Sequence, residues 1–355
     1  MRMPLISSCF KILIFCFWIA IIGIFLLLPS LSGFFKKPQK SLTLFVPPLL
    51  LDPVYLKNFE KETGIKLYIT YFENGATLLS KLSATGGVGY DIIIPDDHSL
   101  EWLIQHDFVK KIDKSKIAFL NEINPLLLNN YYDPDNVYSI PYYWGIYGIG
   151  FNSELLPLGA VGDSWSILFD KKICDNRICM TDDPREAVMI AAQYLFGSID
   201  ALKDPQAREQ VKKVLINQKK HVEVYTLSRS DNLLQTKSCA VAAVVSPELW
   251  RLNREYPHID MMIPREGSFF IIDAIAIPKT TRKDEMIYEF INYLYKKDVI
   301  THHAQLFGFC SPLSTVTIPG QEKFCPNTDL YRFDFFRNVI SDEEINAIWV
   351  EVLAA

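Results

Sequence analysis

Residues Tyr138 to Asn152 form an uncharged, aromatic-rich run, Tyr-Ser-Ile-Pro-Tyr-Tyr-Trp-Gly-Ile-Tyr-Gly-Ile-Gly-Phe-Asn, which constrains the fold more than any other stretch. Ile146, Gly148 and Gly150 alternate with Tyr147, Ile149 and Phe151, a period of two that predicts an extended strand. The glycines leave room where another backbone or a ligand comes close. A strand of this kind near the middle of 355 residues suggests a crossover between two lobes, with a small-molecule cleft between them. Hydrophobic residues at 49% and aromatics at 13% are enough for two ordinary cores. The formal charge is −5 with no long basic block, so the electrostatic signature of nucleic-acid binding is missing.

The first 35 residues belong to a different regime. Arg2 and Lys11 precede an uncharged run from Ile12 to Leu28, closed by Pro29 and the small residues Ser30, Ser32 and Gly33. That order reads as a secretory signal over residues 1–35. The span is also long enough for an N-terminal membrane anchor. Either way, the bulk of the chain is expected outside the cytoplasm.

Beyond this segment lie Cys174, Cys179, Cys239, Cys310 and Cys325. In an oxidising compartment Cys174–Cys179 could close a hairpin disulfide across Asp175-Asn176, and Cys310–Cys325 is a second possible pair. Independent buried thiols remain the alternative. Zinc is disfavoured because neither pair has a partner at finger-like spacing.

Strands at Ser41–Val46, Ile65–Phe72 and Tyr90–Pro95 alternate with helices opened by Asp52-Pro53, by Thr77 and by Ser99, which indicates an α/β fold with a largely parallel sheet. After the crossover the spacing predicts a strand at Ile178–Thr181 and helices at Pro184–Phe196 and Asp204–Gln218. Strands at Ala240–Val245 and Ile271–Ile277 follow, then helices at Glu285–Tyr295 and Asp342–Leu353.

Seven motifs in order now carry a resemblance: Lys61-Glu62-Thr63-Gly64-Ile65-Lys66, Gly89-Tyr90-Asp91-Ile92-Ile93-Ile94-Pro95, Lys111-Ile112-Asp113-Lys114-Ser115-Lys116, Tyr138-Ser139-Ile140-Pro141-Tyr142 with Trp144-Gly145, Thr181-Asp182-Asp183-Pro184-Arg185-Glu186, Pro264-Arg265-Glu266-Gly267 and Asp273-Ala274-Ile275-Ala276-Ile277-Pro278. From about Leu42 to the C-terminus the chain resembles the periplasmic spermidine/putrescine-binding proteins of ABC importers. The resemblance implies a two-lobed periplasmic binding protein fold of type II, with a two-strand hinge near Gly145 and Asp273. Lobe one would be 41–146 plus 274–311, and lobe two 147–273 plus 312–355. It further implies a monomer that hands a polyamine to a permease in the inner membrane, without a cofactor.

A polyamine needs carboxylates for charge-assisted hydrogen bonds and aromatic faces for its ammonium groups and methylenes. The resemblance assigns Asp183, Glu186 and Asp273 to the ligand. Read from the residues, Asp183 and Glu186 could equally complement a helix dipole. Asp273, set between Ile271-Ile272 and Ala274-Ile275, would be costly to bury without a partner. The aromatic half departs from the family. Asn-Trp-(Ser/Thr)-Glu-Tyr is replaced by Val46-Pro47-Pro48-Leu49-Leu50, and Ser-Thr-Tyr by Asp96-Asp97-His98. Two tryptophans align with Val245 and Ile271, and one tyrosine survives as Phe309. Asp96 and Asp97 either add negative charge at the mouth or form a solvated turn, and His98 either contacts ligand or lies on the surface. An amino acid or a thiamine-like cation is therefore the alternative cargo, and a membrane-tethered sensor a further one. For an enzyme, the adjacent His302 and His303 are poor joint chelators, and no P-loop, nucleophile elbow or HExxH motif occurs.

Overall fold

The computed structural model describes residues 17–18, 40–156, 162–170, 177–226, 229–326 and 333–355. The expected N-terminal signal or anchor lies outside the described residues, 17–18 apart. Among the described residues no helix is long and apolar enough to cross a membrane.

Strand β1 (Ser41–Val46) buries Leu42, Leu44, Phe45 and Val46. Asp52 caps helix α1 (Pro53–Thr63) by accepting from the Val54 amide, and Gly64 ends the helix at φ 71°. Only a residue without a Cβ takes that left-handed stop freely. Strand β2 (Lys66–Tyr71), helix α2 (Gly75–Thr85), strand β3 (Ile92–Ile93) and helix α3 (Asp97–Gln105) follow. β2 and β3 flank β1 in parallel register. Irregular chain with short 3₁₀ turns then leads into β4 (Ser139–Asn152), the predicted crossover.

The second half holds β5 (Ile178–Met180), α4 (Pro184–Phe196), α5 (Pro205–Lys219), β6 (Val222–Tyr225), α6 (Ser230–Gln235), β7 (Val241–Val245), α7 (Ser246–Glu255), β8 (Ile259–Met262) and β9 (Ser268–Ala276). Helices α8 (Asp284–Leu294) and α9 (Lys297–Phe307), strand β10 (Phe333–Phe335) and helix α10 (Asp342–Ala354) complete the chain. The strand order is β2-β1-β3-β9-β4-β7-β5-β6, with β10 on β9 and β8 on β4.

β4 spans two sheets. Its first half, Ser139 to Ile146, pairs with β9, and from Tyr147 onward it pairs with β7 and β8. All three pairings are antiparallel, as is β3 with β9. This corrects the expectation of a largely parallel sheet: each flank is parallel, but the strands joining the flanks run against their neighbours. The reason is topological, since a strand that crosses from one sheet to the other and another that returns must be antiparallel. At the junction a Cβ on Gly145 would lie 2.7 Å from Pro247 Cδ and 3.1 Å from Ser246 Oγ, so only glycine lets the head of α7 approach.

Two cores result. One gathers β1, β3, α1 and α8, where Phe59 meets Phe290 with ring centroids 4.9 Å apart. The other gathers β5, α4, α5 and α10 around Trp165. Ile345, Ile348, Trp349 and Val352 of α10 are buried there, which explains the amphipathic tail.

The cysteine reading is also corrected in part. Cys310 and Cys325 form a disulfide. Cys179 is a free buried thiol hydrogen-bonded to the free Cys239, so no bond joins it to Cys174, which lies outside the described residues. Cys179 sits inside β5, its side chain facing the core rather than a turn.

Candidate ligand-binding site

Three times the chain leaves a strand and enters a helix with a carboxylate at the turn or in the first helical turn. β3 leads to Asp96-Asp97 at α3, β5 to Asp183 and Glu186 at α4, and β7 to Glu248 at α7. In open α/β sheets the crevice beyond such strand ends is where ligands bind.

Asp183 caps α4, its Oδ1 accepting from the amides of Arg185 at 2.8 Å and Glu186 at 3.0 Å. Glu186 accepts from Thr181 Oγ1 at 2.6 Å and from the Tyr147 hydroxyl of β4. Burial pushes the Glu186 carboxyl up to about 8, the neighbouring Asp183 adds to the rise, and the two hydroxyl donors oppose it.

Asp273 of β9 stands opposite Tyr143 of β4 and is bridged to Asp96. Burial, then the charges of Asp96 and Asp97, hold its carboxyl well above the usual range. Asp96 caps α3 through Ser99, accepting from the amide and the hydroxyl at 2.8 Å each. Asp97 is only 8% exposed and accepts from Tyr131 Oη at 3.0 Å, and burial with the charge of Asp96 raises it to about 7. A solvated turn would leave Asp97 exposed, so that reading does not hold for it.

His98 is half-buried rather than superficial. Burial, then Arg185, lowers its pKa, while Asp96, Asp342 and Asp183 pull the other way. A residue of α3 thus feels charges on α4 and α10. Arg185 Nη2 donates to Asp342 Oδ1 at 3.0 Å, but its Nε and His98 Nδ1 are shielded atoms with no hydrogen-bond partner.

Phe309 does not present a face to the seam. It is fully buried, 5.7 Å from Tyr142 and 5.3 Å from Tyr143 between ring centroids. Tyr143, partly exposed, stands beside Asp273 instead. Sequence reasoning also missed Tyr131, Tyr147 and Glu248. Glu248, half-buried on α7, is pushed to about 7 by burial and by Asp231, with Arg251 opposing. The strand–acid–helix pattern after β7 was a usable signal for it. No signal in the sequence joined Tyr131 to Asp97.

The paired histidines are structural. His302 Nε2 bonds Asp52 Oδ2 at 2.7 Å, while His303 Nδ1 meets Tyr142 Oη at 2.8 Å and its Nε2 accepts from the Asp52 amide at 3.1 Å. Among the described residues no His, Cys, Asp and Glu cluster is arranged to hold a metal.

A two-lobed α/β fold with carboxylates from several strand ends at the seam defines a solute receptor. Residues 55–322 match the family model of the bacterial extracellular solute-binding proteins, and the chain belongs to that family. It is 30% identical over 273 residues to the spermidine/putrescine-binding periplasmic protein of Escherichia coli K12, covering 76% of this chain and 75% of that one. The putrescine-binding periplasmic protein PotF of the same organism is 25% identical over 346 residues, covering 90% and 93%. The spermidine/putrescine ABC transporter substrate-binding protein PotD from Streptococcus pneumoniae superposes with a TM-score of 0.80, at 23% identity over 89% of this chain and 99% of that one.

Proposed function

We propose that the chain is the extracytoplasmic receptor of an ABC importer, closing its lobes on a polyamine of the spermidine/putrescine class and presenting it to a membrane permease. What supports this reading is that His98 feels both Asp96 and Asp183, and Tyr143 both Asp273 and Glu248, so acids from both halves act on the same side chains. Burial raises the carboxyls of Asp273 and Glu186, their acidic neighbours add to the rise, and a multiply charged ammonium ligand offsets that repulsion. The names of the relatives support the same cargo. The receptor works outside the cytoplasm, and one chain suffices for one site.

Thermal unfolding of the purified protein with and without spermidine, putrescine and cadaverine tests the reading. The expected result is a rise in Tm that grows with ligand concentration. No rise with any of the three at millimolar concentration rejects the polyamine and leaves the fold untouched.

A second reading rests on Arg185 Nε and His98 Nδ1, both shielded and unpartnered. They could take the carboxylate of a basic amino acid whose side-chain ammonium reaches the acids. Titration calorimetry separates the two: tighter binding of ornithine or lysine than of putrescine favours the amino acid.

A further inference from the structure

Helix α9 packs in the first core and α10 in the second, so the chain between them crosses from one half to the other, as β4 and β9 do. Gly308 ends α9 at φ 85°, and a Cβ there would lie 2.2 Å from Pro247 O at the head of α7. The Cys310 amide donates to Trp144 O at 2.8 Å, and Trp144 Nε1 donates to Ser311 O at 2.9 Å. The segment is thus rooted on β4, one residue before Gly145. From that root it reaches both ways. On the side of the first core, the Ser314 amide and hydroxyl donate to Glu122 O at 2.9 and 3.0 Å, and the Asn124 amide donates to Pro312 O at 2.8 Å. Glu122 lies three residues after Phe119, whose ring stacks 3.7 Å from Tyr295 at the end of α8. On the other side Phe324 meets Trp250 of α7, with ring centroids 5.7 Å apart, and Lys323 pairs with Asp260 of β8. The Cys310–Cys325 disulfide fastens this second arm to the root.

We propose that the Cys310–Cys325 disulfide is a reducible clasp on this third crossing, holding both arms on one root and limiting how far the lobes part. The inference goes beyond the receptor reading and does not depend on which ligand is carried. Each arm alone is weakly held: Ser314 is exposed, and the Lys323–Asp260 ion pair is open to solvent. Segments held by a few exposed bonds open locally at little cost. Joining the second arm to Cys310 removes much of the freedom it would gain by leaving. The bond is within reach of a dithiol reductant, because Cys325 is partly exposed and both cysteines line an open pocket beside Trp144 and Gln321. One thiolate of the dithiol attacks Cys325 Sγ and displaces Cys310 as a thiolate. The second thiolate attacks the reagent's own sulfur in the mixed disulfide and frees Cys325. The dithiol leaves as a cyclic disulfide, and its two protons and two electrons end on the two cysteines.

The test is hydrogen exchange and small-angle scattering on the ligand-free protein, oxidised, reduced with dithiothreitol, and as Cys310→Ser/Cys325→Ser, with melting curves to establish folding. On reduction, exchange in peptides covering 120–124 and 257–262 should quicken by roughly tenfold or more while β1 stays unchanged. The radius of gyration should grow. Faster exchange confined to 309–325, or spread equally through β1, overturns the clasp, as does an unchanged radius of gyration. Should the serine variant fail to fold, the wild-type protein with dithiothreitol decides, since its Cys179 and Cys239 are already thiols. Putrescine calorimetry on both forms keeps the clasp and the receptor reading apart. Reduction should weaken binding by roughly three- to tenfold, because a wider lobe distribution lowers the competent fraction. Equal affinity in the two forms overturns the clasp's part in ligand capture. A protein that binds putrescine in neither form rejects that ligand, and the exchange and scattering results then decide the clasp alone.

Discussion

Asp96 and Asp273 are bridge partners across the antiparallel seam between the head of α3 and β9, and the charge of Asp96 acts on the Asp273 carboxyl. Burial raises the Asp273 carboxyl, and the charges of Asp96 and of Asp97, next in the chain, add to the rise.

Affinity for a cationic ligand should therefore rise with pH. Burial raises the carboxyls of Asp97 and Glu248 to about 7 and that of Glu186 to about 8, so below those values a proton competes with a bound ammonium. Between pH 6.5 and 8.5 putrescine affinity should increase about tenfold or more, with protons released to buffer. The empty protein should behave oppositely. A carboxyl with a raised folded pKa binds more protons than its unfolded counterpart, so its stabilising contribution is present at low pH and lost as pH climbs towards 8. His303, held down to about 4 by burial, acts in the other direction only below about pH 6.5, where the unfolded imidazole protonates. Above that, unfolding free energy should fall by at least about 1 kcal/mol up to pH 8.5. Urea titrations of the empty protein at several pH values check this, and a flat profile would count against the buried carboxyls.

Asp183 has a cap role and a proposed ligand role, and one substitution separates them. Asn caps as well as Asp, so Asp183→Asn should leave stability within about 0.5 kcal/mol. It should still cost about tenfold in cation affinity, because a charge-assisted bond becomes neutral. Asp183→Ala should lose about 1 kcal/mol of stability as well. Equal affinity in wild type and Asp183→Asn would reduce the residue to its cap.

Gly145→Ala puts a methyl against the Pro247 ring at the crossover. Overpacking of this kind costs about 1–3 kcal/mol. Because α7 carries Glu248, a shift of its head should weaken ligand binding too. Denaturant midpoint and calorimetry on the same variant should move together, and a change in stability alone would uncouple Gly145 from the site.

The Cys310–Cys325 disulfide closes a separation of 15 residues. Its loss in Cys310→Ser/Cys325→Ser should cost about 3 kcal/mol by the loop-entropy argument. Cys179 and Cys239 should resist alkylation in the folded protein, since both are buried. Rapid labelling of either under native conditions would contradict their place in the core.

Much of this fold is legible in the chain because local chemistry and tertiary packing agree. Asp52-Pro53 with Gly64, and Asp183-Pro184 with Gly197, bracket α1 and α4 with caps that need no outside partner. The alternation after Trp144 marks β4 without help. The misses have tertiary causes. The apolar run Tyr90–Pro95 yields only the two-residue β3, since its paired length is set by β1 and β9 rather than by hydrophobicity. β10 exists because β9 offers it an edge. Among the candidate ligand residues, Asp183, Glu186 and Asp273 come from motifs, whereas Tyr131 reaches Asp97 over 34 residues of separation through a segment with no regular pattern. Phe309 was misread for the same reason: nothing local reveals that Tyr142 and Tyr143 enclose it.

β4 is a single strand held in common by both sheets, so no one cut in the polypeptide frees either sheet with its edges intact. Recombination that swaps a contiguous block of gene would break the shared strand or its partner β9. A lineage built on this frame is therefore expected to change its diet by single substitutions, around a frame inherited whole.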